Sequence, residues 1–276
     1  MFFELPVKDQ DFPLAEKWLD YIYPLAVDKL GYSSEKDSKA RDELNFLLRK
    51  REDFTELFAR LASFKGRDAF VFGAGPSLKE DLMDLYPVVR NKKALVVAAD
   101  GAADALFERM IIPDVTVSDL DSCSLEVLRA QSESRSLFVH SHGDNIEMMK
   151  EIIPMFGGSV LGTTQVKSKG KVKNTGGLTD GDRACYIASA FEPRRVVIAG
   201  MDFGVKEGEY SKSKTETRNE KNHLAKRKIK LELGRASLEF LIKESRAIKF
   251  YNITRHGVRI KGATHVKAEK LIEELS

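Results

Sequence analysis

Val115-Thr-Val-Ser-Asp119-Leu-Asp121-Ser122 reads as a short buried strand that runs into two aspartates one residue apart. Side chains at i and i+2 of an extended segment point to the same side, so the two carboxylates are expected to aim at one point just past the strand's end. Carboxylates held that close repel each other. A hard divalent cation such as Mg²⁺ relieves the repulsion, and it usually arrives with phosphate oxygens.

Outward from this stretch the same pattern repeats. Short apolar runs at 69–72, 94–98, 115–118, 137–140, 159–162 and 196–199 are rich in Val, Ile, Leu, Phe and Ala and do not alternate with polar residues. Such runs suit strands buried on both faces. Helical patterns lie between them, which predicts a doubly wound, mainly parallel α/β sheet of the Rossmann-like kind over residues 66–205. Residues 1–65 carry apolar positions at helical spacing and predict a helical N-terminal region, with 31–38 as a loop. That region would pack on the main domain or on a second subunit, so a homo-oligomer is open. Residues 206–276 predict a C-terminal extension. It begins with a polar stretch at 206–222 that reads as a mobile lid. A long helix over about 223–245, a strand at 248–253 and a closing helix at 266–275 follow.

In doubly wound sheets ligands bind beyond the carboxyl ends of the strands, and the polar residues collect there. Gly73-Ala-Gly75-Pro76-Ser77 follows the first strand and fits a strand-to-helix turn, with Pro76 in the first helical turn and the helix N-terminus open to a phosphate. It lacks a third glycine at Leu78 and is not a Walker A loop, since no Gly-Lys-Ser/Thr follows. Asp100 and Gly101 follow the second strand, and Asp119 and Asp121 the third. His140-Ser-His142-Gly-Asp144-Asn145 follows the fourth, Thr163, Thr164 and Gln165 the fifth, and Gly200-Met-Asp202 the sixth. Asn174-Thr-Gly176-Gly177-Leu-Thr179-Asp180-Gly-Asp182-Arg183 precedes an apolar helix. Thr179 or Asp180 would cap that helix, and the glycine pair suggests a polyphosphate cradle; Asp182 fits a helix-dipole role equally well. Lys167, Lys169, Lys171 and Lys173 form a run that is either a solvated loop or a cover over negative charge. Arg255, His256, Arg259 and Lys261 form a basic turn that would suit an anion or a solvated hairpin.

Composition narrows the class. The chain has 276 residues, 42% of them hydrophobic, enough for a full core, and a formal net charge of +3 against 45 basic and 42 acidic residues. That balance gives no reason to expect a nucleic-acid partner. No apolar run approaches membrane-spanning length and no signal-peptide pattern opens the chain, so a cytoplasmic protein with no membrane partner is expected. The two cysteines, Cys123 and Cys185, make neither a metal spacing nor a disulfide framework.

Five segments together resemble a known family. Gly73-Ala-Gly-Pro-Ser-Leu, Ala98-Ala-Asp-Gly-Ala, Pro113-Asp-Val-Thr-Val-Ser-Asp-Leu-Asp-Ser, His140-Ser-His-Gly-Asp-Asn and Asn174-Thr-Gly-Gly-Leu-Thr-Asp-Gly-Asp-Arg are similar to segments of the archaeal 6-hydroxymethyl-7,8-dihydropterin pyrophosphokinases. The Asp-Gly and Asp-Leu-Asp-Ser segments are also similar to those of thiamine pyrophosphokinases, in which acids at these positions bind Mg²⁺ and ATP phosphates. The resemblance implies Mg²⁺-dependent transfer of diphosphate from ATP to 6-hydroxymethyl-7,8-dihydropterin, with AMP released, in tetrahydromethanopterin or folate synthesis. It implies Asp100, Asp119 and Asp121 as metal ligands. Asp121, Asp144 and His142 become the catalytic candidates, with Asp144 or His142 as base. Gly73, Gly75, Ser77, Asp100, Gly176, Gly177, Thr179 and Asp180 would face ATP, and Asn145, Gln165 and Asp202 are candidates to face the pterin. The His-Ser-His-Gly-Asp-Asn loop departs from the more acidic thiamine group. Two other classes remain open: a nucleotide-sugar-dependent glycosyltransferase, which also uses Asp-x-Asp, and a non-enzymatic nucleotide-binding module with Asp100 at a ribose-binding position.

Overall fold

A computed structural model describes residues 11–51, 55–91, 93–132, 136–204, 206–211 and 220–275. Among them nine strands form one sheet: β1 (Asp68–Phe72), β2 (Leu95–Ala99), β3 (Val115–Ser118), β4 (Ser136–Ser141), β5 (Ser159–Thr164), β6 (Val172–Asn174), β7 (Arg195–Ala199), β8 (Lys249–Asn252) and β9 (Thr264–His265). Their order is β6-β5-β4-β3-β2-β1-β7-β8-β9, and every ladder pair is parallel. The protein is a doubly wound α/β fold. The chain builds outward from β1 to β6, then crosses back to β7 and builds outward the other way. Strand order therefore reverses between β1 and β7, where such sheets open a crevice at their carboxyl ends.

The strands are buried on both faces because each face has its own helical layer. Ala69, Val71, Val97, Val115, Val117 and Ile198 point into one core, while Phe70, Phe72, Val96, Ala98, Val139 and Val197 point into the other. This is the two-residue period of a strand. The first layer holds α1 (Ala15–Tyr21), α2 (Tyr23–Leu30), α9 (Asp180–Ala190) and α10 (Glu220–Glu244). The second holds α3 (Ser34–Leu48), α5 (Leu78–Val89), α6 (Ala102–Phe107), α7 (Leu125–Ser132) and α8 (Ile146–Ile152), with the closing α11 (Ala268–Leu275) against α5. α4 (Thr55–Ala62) leads into β1.

Three elements differ from the sequence expectation. α3 starts at Ser34, inside the segment read as a loop. Ser33 caps it by accepting from the Lys36 N–H at 3.3 Å, and Glu35 and Asp37 occupy its first turn. That turn has no apolar residue, so periodicity does not reveal it. The lysine run contains β6, a strand with one apolar residue, Val172, at its start. The basic turn leads into β9, so the C-terminal extension adds two strands to the central sheet.

The N-terminal helices are fixed to the C-terminal one. The Trp18 indole N–H donates to Ser237 Oγ at 3.0 Å, with Trp18 fully buried, and Tyr186 Oη on α9 donates to the Ser237 carbonyl at 2.9 Å. α1, α9 and α10 thus meet at one residue, and the turn between α2 and α3 is held over the carboxyl ends of the strands.

Candidate active site

The acidic centre is built by two strained turns. Leu120 adopts φ 73° and Asp100 φ 50°, left-handed values that are uncommon for residues other than glycine. The expected extended geometry is therefore not what brings Asp119 and Asp121 together. The chain instead reverses at Leu120, whose side chain is buried in the core, and the Asp121 N–H donates to Asp119 Oδ1 at 3.3 Å. Strain of this kind persists where the surroundings over-determine it, commonly at functional sites. Ser118 Oγ donates to Asp100 Oδ1 at 2.7 Å and accepts from the Leu120 N–H at 2.8 Å, which locks the two turns together. Carboxylate oxygens of Asp100, Asp119 and Asp121 lie within 4.8 Å of one another, the one such three-residue group of possible metal ligands among the described residues. Burial, with Asp119 repulsion added, pushes the Asp100 carboxyl up to about 6. Burial also works against the Asp119 charge, but the His142 hydrogen bond, with Lys230 opposite and the Asp121 hydrogen bond added, outweighs it and holds Asp119 low.

His142 is placed for that task. The Asp144 N–H donates to its Nδ1 at 3.3 Å, so Nε2 carries the proton and faces Asp119 Oδ2 at 3.4 Å. Both ring nitrogens are engaged, which makes His142 an orienting partner of Asp119 in this arrangement. Asp144 is exposed at the mouth of a cavity beside it. Asn145 is buried, and its amide is spent: Nδ2 donates to the carbonyls of Asp119 and His140 at 2.9 and 2.7 Å, and Oδ1 accepts from the His142 N–H at 3.1 Å. It ties the β3 and β4 loops together and offers no polar group to a ligand here.

Two cavities meet at the acids. The larger, about 680 Å³, lies at the β1/β7 reversal and is lined by Gly73, Gly75, Asp100, Gly200 and Asp202. The smaller, about 460 Å³, is lined by Tyr32, Asp37, His140, His142, Asp144 and Gln165. Asp119, Asp121, Thr179, Asp180, Tyr32, Lys226 and Lys230 line both. In the larger cavity the glycines are required by close approach. A Cβ on Gly75 would lie 2.1 Å from Asp202 Oδ2, and one on Gly73 would lie 2.7 Å from Met201 Cγ. Asp202 is buried and accepts from the Ser77 N–H at 3.1 Å and from Ser77 Oγ at 2.6 Å. Ser77 and Asp202, expected to face ligands, thus clamp the β1 and β7 turns to each other. Pro76 precedes Ser77, the N-cap of α5, and so lies just outside the helix.

Asn174–Arg183 divides in two. Thr179 and Asp182 form a reciprocal capping box on α9, with the Thr179 N–H donating to Asp182 Oδ1 at 2.7 Å. Gly176 and Gly177 are buried against α9, where a Cβ would meet Tyr186 at 2.5 Å and Arg183 at 2.3 Å, so they shape the turn and do not line either cavity. Asp180 is the carboxylate of this segment that faces the acids. Burial, with Asp119 and Asp100 adding repulsion, holds its carboxyl well above the usual range. Beneath it the fully buried Arg183 donates through Nη1 to the Gly176 carbonyl at 3.1 Å and through Nη2 to His140 Nε2 at 3.2 Å. Burial and that guanidinium keep His140 neutral, well below its ordinary pKa.

Residues outside the sequence candidates complete the site. Lys230 and Lys226, one turn apart on α10, and Tyr32 face the acids across the cleft. Lys230 is exposed along the cleft, and the groups facing it there, Tyr32, Asp119, Asp180 and Asp121, outweigh local desolvation and hold its ammonium above the ordinary range. The signal available in the sequence was the i, i+4 spacing of Lys226 and Lys230, which any solvated helix face also shows. The lysine run does not reach the cleft: Lys169 pairs with Asp42 of α3 at 2.8 Å, and Lys171 bonds the Arg51 carbonyl. In the basic turn Arg255 pairs with Glu80 at 3.2 Å and with Asp84 of α5. Of the expected lid, residues 206–211 are anchored by Lys79–Glu209 at 2.8 Å, Tyr210–Glu108 and Arg227–Glu207, while 212–219 lie outside the described residues. No helix among the described residues is long and apolar enough to cross a membrane.

Comparison with known proteins gives a consistent picture. A family model described as 6-hydroxymethylpterin diphosphokinase MptE-like matches residues 42–208. The chain is 34% identical over 204 residues to a 6-hydroxymethyl-7,8-dihydropterin pyrophosphokinase of Methanocaldococcus jannaschii, covering 71% of this chain and 83% of the relative. It is 37% identical over 199 residues to the protein of that name from Pyrococcus furiosus, covering 71% and 81%. Among solved structures it is similar to the MAf glycosyltransferase of Magnetospirillum magneticum AMB-1, with a TM-score of 0.50 and 16% identity over 83% of this chain and 39% of that one. That likeness extends to the fold alone and not to sugar transfer. It is also similar to thiamine pyrophosphokinase of Bacillus subtilis, with a TM-score of 0.34 and 18% identity over 68% and 60% of the two chains.

Proposed function

This chain belongs to the 6-hydroxymethylpterin diphosphokinase MptE-like family, and from that premise we propose that it moves diphosphate as a unit from ATP to 6-hydroxymethyl-7,8-dihydropterin and releases AMP. The observation that supports this reading most is the meeting of two cavities at one acidic wall. A two-substrate transfer needs the donor phosphorus and the acceptor oxygen delivered to one point from separate sides, roughly in line. The larger cavity, at the sheet reversal with its glycine turns, suits the nucleotide. The smaller, with its buried polar floor and Tyr32, suits the flat acceptor ring. The β-phosphorus would then lie where Asp119, Asp121, Asp180 and Lys230 converge.

The donor set fits a hard divalent cation. Three carboxylates are drawn within 4.8 Å, and burial with the repulsion of Asp119 pushes Asp100 up. Asp100, Asp119 and Asp121 would hold Mg²⁺, which when bound neutralises the polyphosphate and the charge developing on it. The protein's own groups do the rest. His142 keeps Asp119 ionised and oriented. The Lys230 ammonium, fully charged at neutral pH, faces the transferring group from the opposite wall. Asp144, exposed beside the smaller cavity, is the side chain best placed to accept the hydroxymethyl proton. The diphosphate product would feed tetrahydromethanopterin or folate synthesis.

The test is a product assay. Incubation with ATP, Mg²⁺ and the reduced hydroxymethylpterin is expected to yield AMP in step with pterin diphosphate. ADP as the sole nucleotide product would mean transfer of a single phosphoryl group and would reject the reading.

A further inference from the structure

The smaller cavity has a floor whose hydrogen-bonding capacity is incomplete. Gln165, at the end of β5, is 3% exposed, and its Nε2 donates to Asp37 Oδ2 at 2.8 Å. A carboxylate only accepts, so this bond fixes which end of the amide faces Asp37 and turns Oε1 the other way. Gln165 Oε1 meets no donor among the described residues, although its side chain lines the cavity. Asp37 is 4% exposed and takes three donors: Tyr23 Oη at 2.9 Å and Gln165 Nε2 on Oδ2, and the Gly143 N–H at 3.1 Å on Oδ1. A carboxylate has about four acceptor sites. One therefore remains, on Oδ1, and Asp37 lines the same cavity. An amide oxygen that lacks a protein donor and opens on the cavity takes its hydrogen bond from a ligand or water there.

The unfilled positions on this floor are both acceptors. The ligand edge that matches them presents two adjacent N–H donors on a flat ring. A 2-amino-4-oxo pyrimidine edge presents that pair, as the 2-amino group and N3–H. We propose that Gln165 Oε1 and Asp37 Oδ1 read this edge of the pterin and set the acceptor specificity of the enzyme, an inference that rests on the proposed function. Tyr32, at the wall between the cavities, then lies beside the ring, and the hydroxymethyl group points back to the acids. Asp37 also has a positioning role, because its bond to Gln165 sets the amide's orientation. It lies outside the matched 42–208 segment, on a helix of the N-terminal region. Substrate choice is then contributed by a part of the chain that the sequence alone marks as an appendage.

The experiment is direct binding, read by fluorescence titration without ATP so that turnover is not needed. The ligands are 6-hydroxymethyl-7,8-dihydropterin and its 2-oxo analogue, in which a carbonyl acceptor replaces the amino donor. A site built to accept from the amino group leaves its own acceptors facing that carbonyl, so the wild-type protein is expected to prefer the pterin by at least about 10²-fold. Gln165→Leu is expected to weaken pterin binding at least about tenfold and to shrink the preference by a similar factor, while ATP binding changes less than about twofold. Equal binding of the two ligands by the wild-type protein would overturn the proposal with no variant needed. So would failure to bind either ligand, or a Gln165→Leu protein with the wild-type preference. Selective binding without any AMP in the product assay would reject diphosphate transfer and leave this specificity site standing.

Discussion

One wall of the cleft, carrying Asp100, Asp119, Asp121 and the Gly73–Gly75 turn, is made of strand ends inside the segment that matches the family. The wall facing it, carrying Tyr32, Asp37, Lys226 and Lys230, comes from the two ends of the chain and lies outside that segment. The first wall is fixed by the parallel ladder and by local bonds such as Ser118 to Asp100. The second is fixed by long-range contacts, among them Trp18 to Ser237 and Gly143 to Asp37. The difference suggests a division of labour. On the proposed function, phosphate chemistry would rest on the sheet, and acceptor recognition and a counter-charge on helices brought over it.

If that division holds, damage to the first wall has the larger effect on the chemical step. Asp119→Asn keeps the shape and removes the charge, and kcat is expected to fall at least about 10²-fold, the scale of one lost electrostatic contact at the transition state. Circular dichroism should show the fold unchanged, and steady-state kinetics near wild type would place the metal elsewhere.

On the second wall, Lys230→Met keeps the aliphatic stem and removes the ammonium. A charge-assisted contact contributes about 1.5–3 kcal/mol, so kcat/KM should fall roughly 10- to 100-fold, less than for Asp119→Asn. A larger loss than for Asp119→Asn would reverse the proposed ranking of the walls.

The last effect leaves the chemical step alone and concerns stability. Asp81 on α5 is 1% exposed, and its Oδ2 accepts from the Gly200 N–H at 2.8 Å, behind the glycine turns of the first wall. Burial raises its carboxyl from 3.8 to about 7, against the pull of the Gly200 N–H and with repulsion from Asp202 added. The folded protein therefore binds this proton more tightly than the unfolded chain does. Its contribution is most favourable below about pH 4 and is lost as pH rises toward about 7. Urea unfolding at pH 5 and pH 8 should show the wild type losing about 2–3 kcal/mol more than Asp81→Asn over that interval, at about 1.4 kcal/mol per pK unit. A variant with the wild-type pH dependence would show that Asp81 is ionised in the folded state.

The sequence made the first wall legible because strand-end turns announce themselves. Unalternating apolar runs predict buried parallel strands, and most of them run within a residue or two into Gly, Asp or His. It did not reveal that Leu120 reverses the chain between the two aspartates, since a left-handed leucine has no compositional signal. Nor could spacing separate the residues that face the cleft from those that hold it in shape. Ser77, Asn145, Asp202 and the Gly176–Gly177 pair look like ligand contacts by residue type, yet their bonds and close approaches are internal. The second wall was hidden for another reason. Asp37 and Lys230 lie in charged turns of helices whose apolar positions, such as Leu44 and Leu238, announce only the buried face, and long-range packing is what turns the two residues toward the cleft.

The central claim is that donor and acceptor enter from separate cavities and meet at the acidic wall. A crystal structure with α,β-methylene-ATP, Mg²⁺ and the reduced hydroxymethylpterin tests it directly, because the bond that would break is blocked. The expected result has the nucleoside in the cavity lined by Gly73, Gly75 and Gly200, the pterin against Gln165 and Asp37, and the β-phosphorus between Asp119, Asp180 and Lys230. A triphosphate running into the cavity of Gln165, or a pterin seated against the glycine turns, would contradict the account.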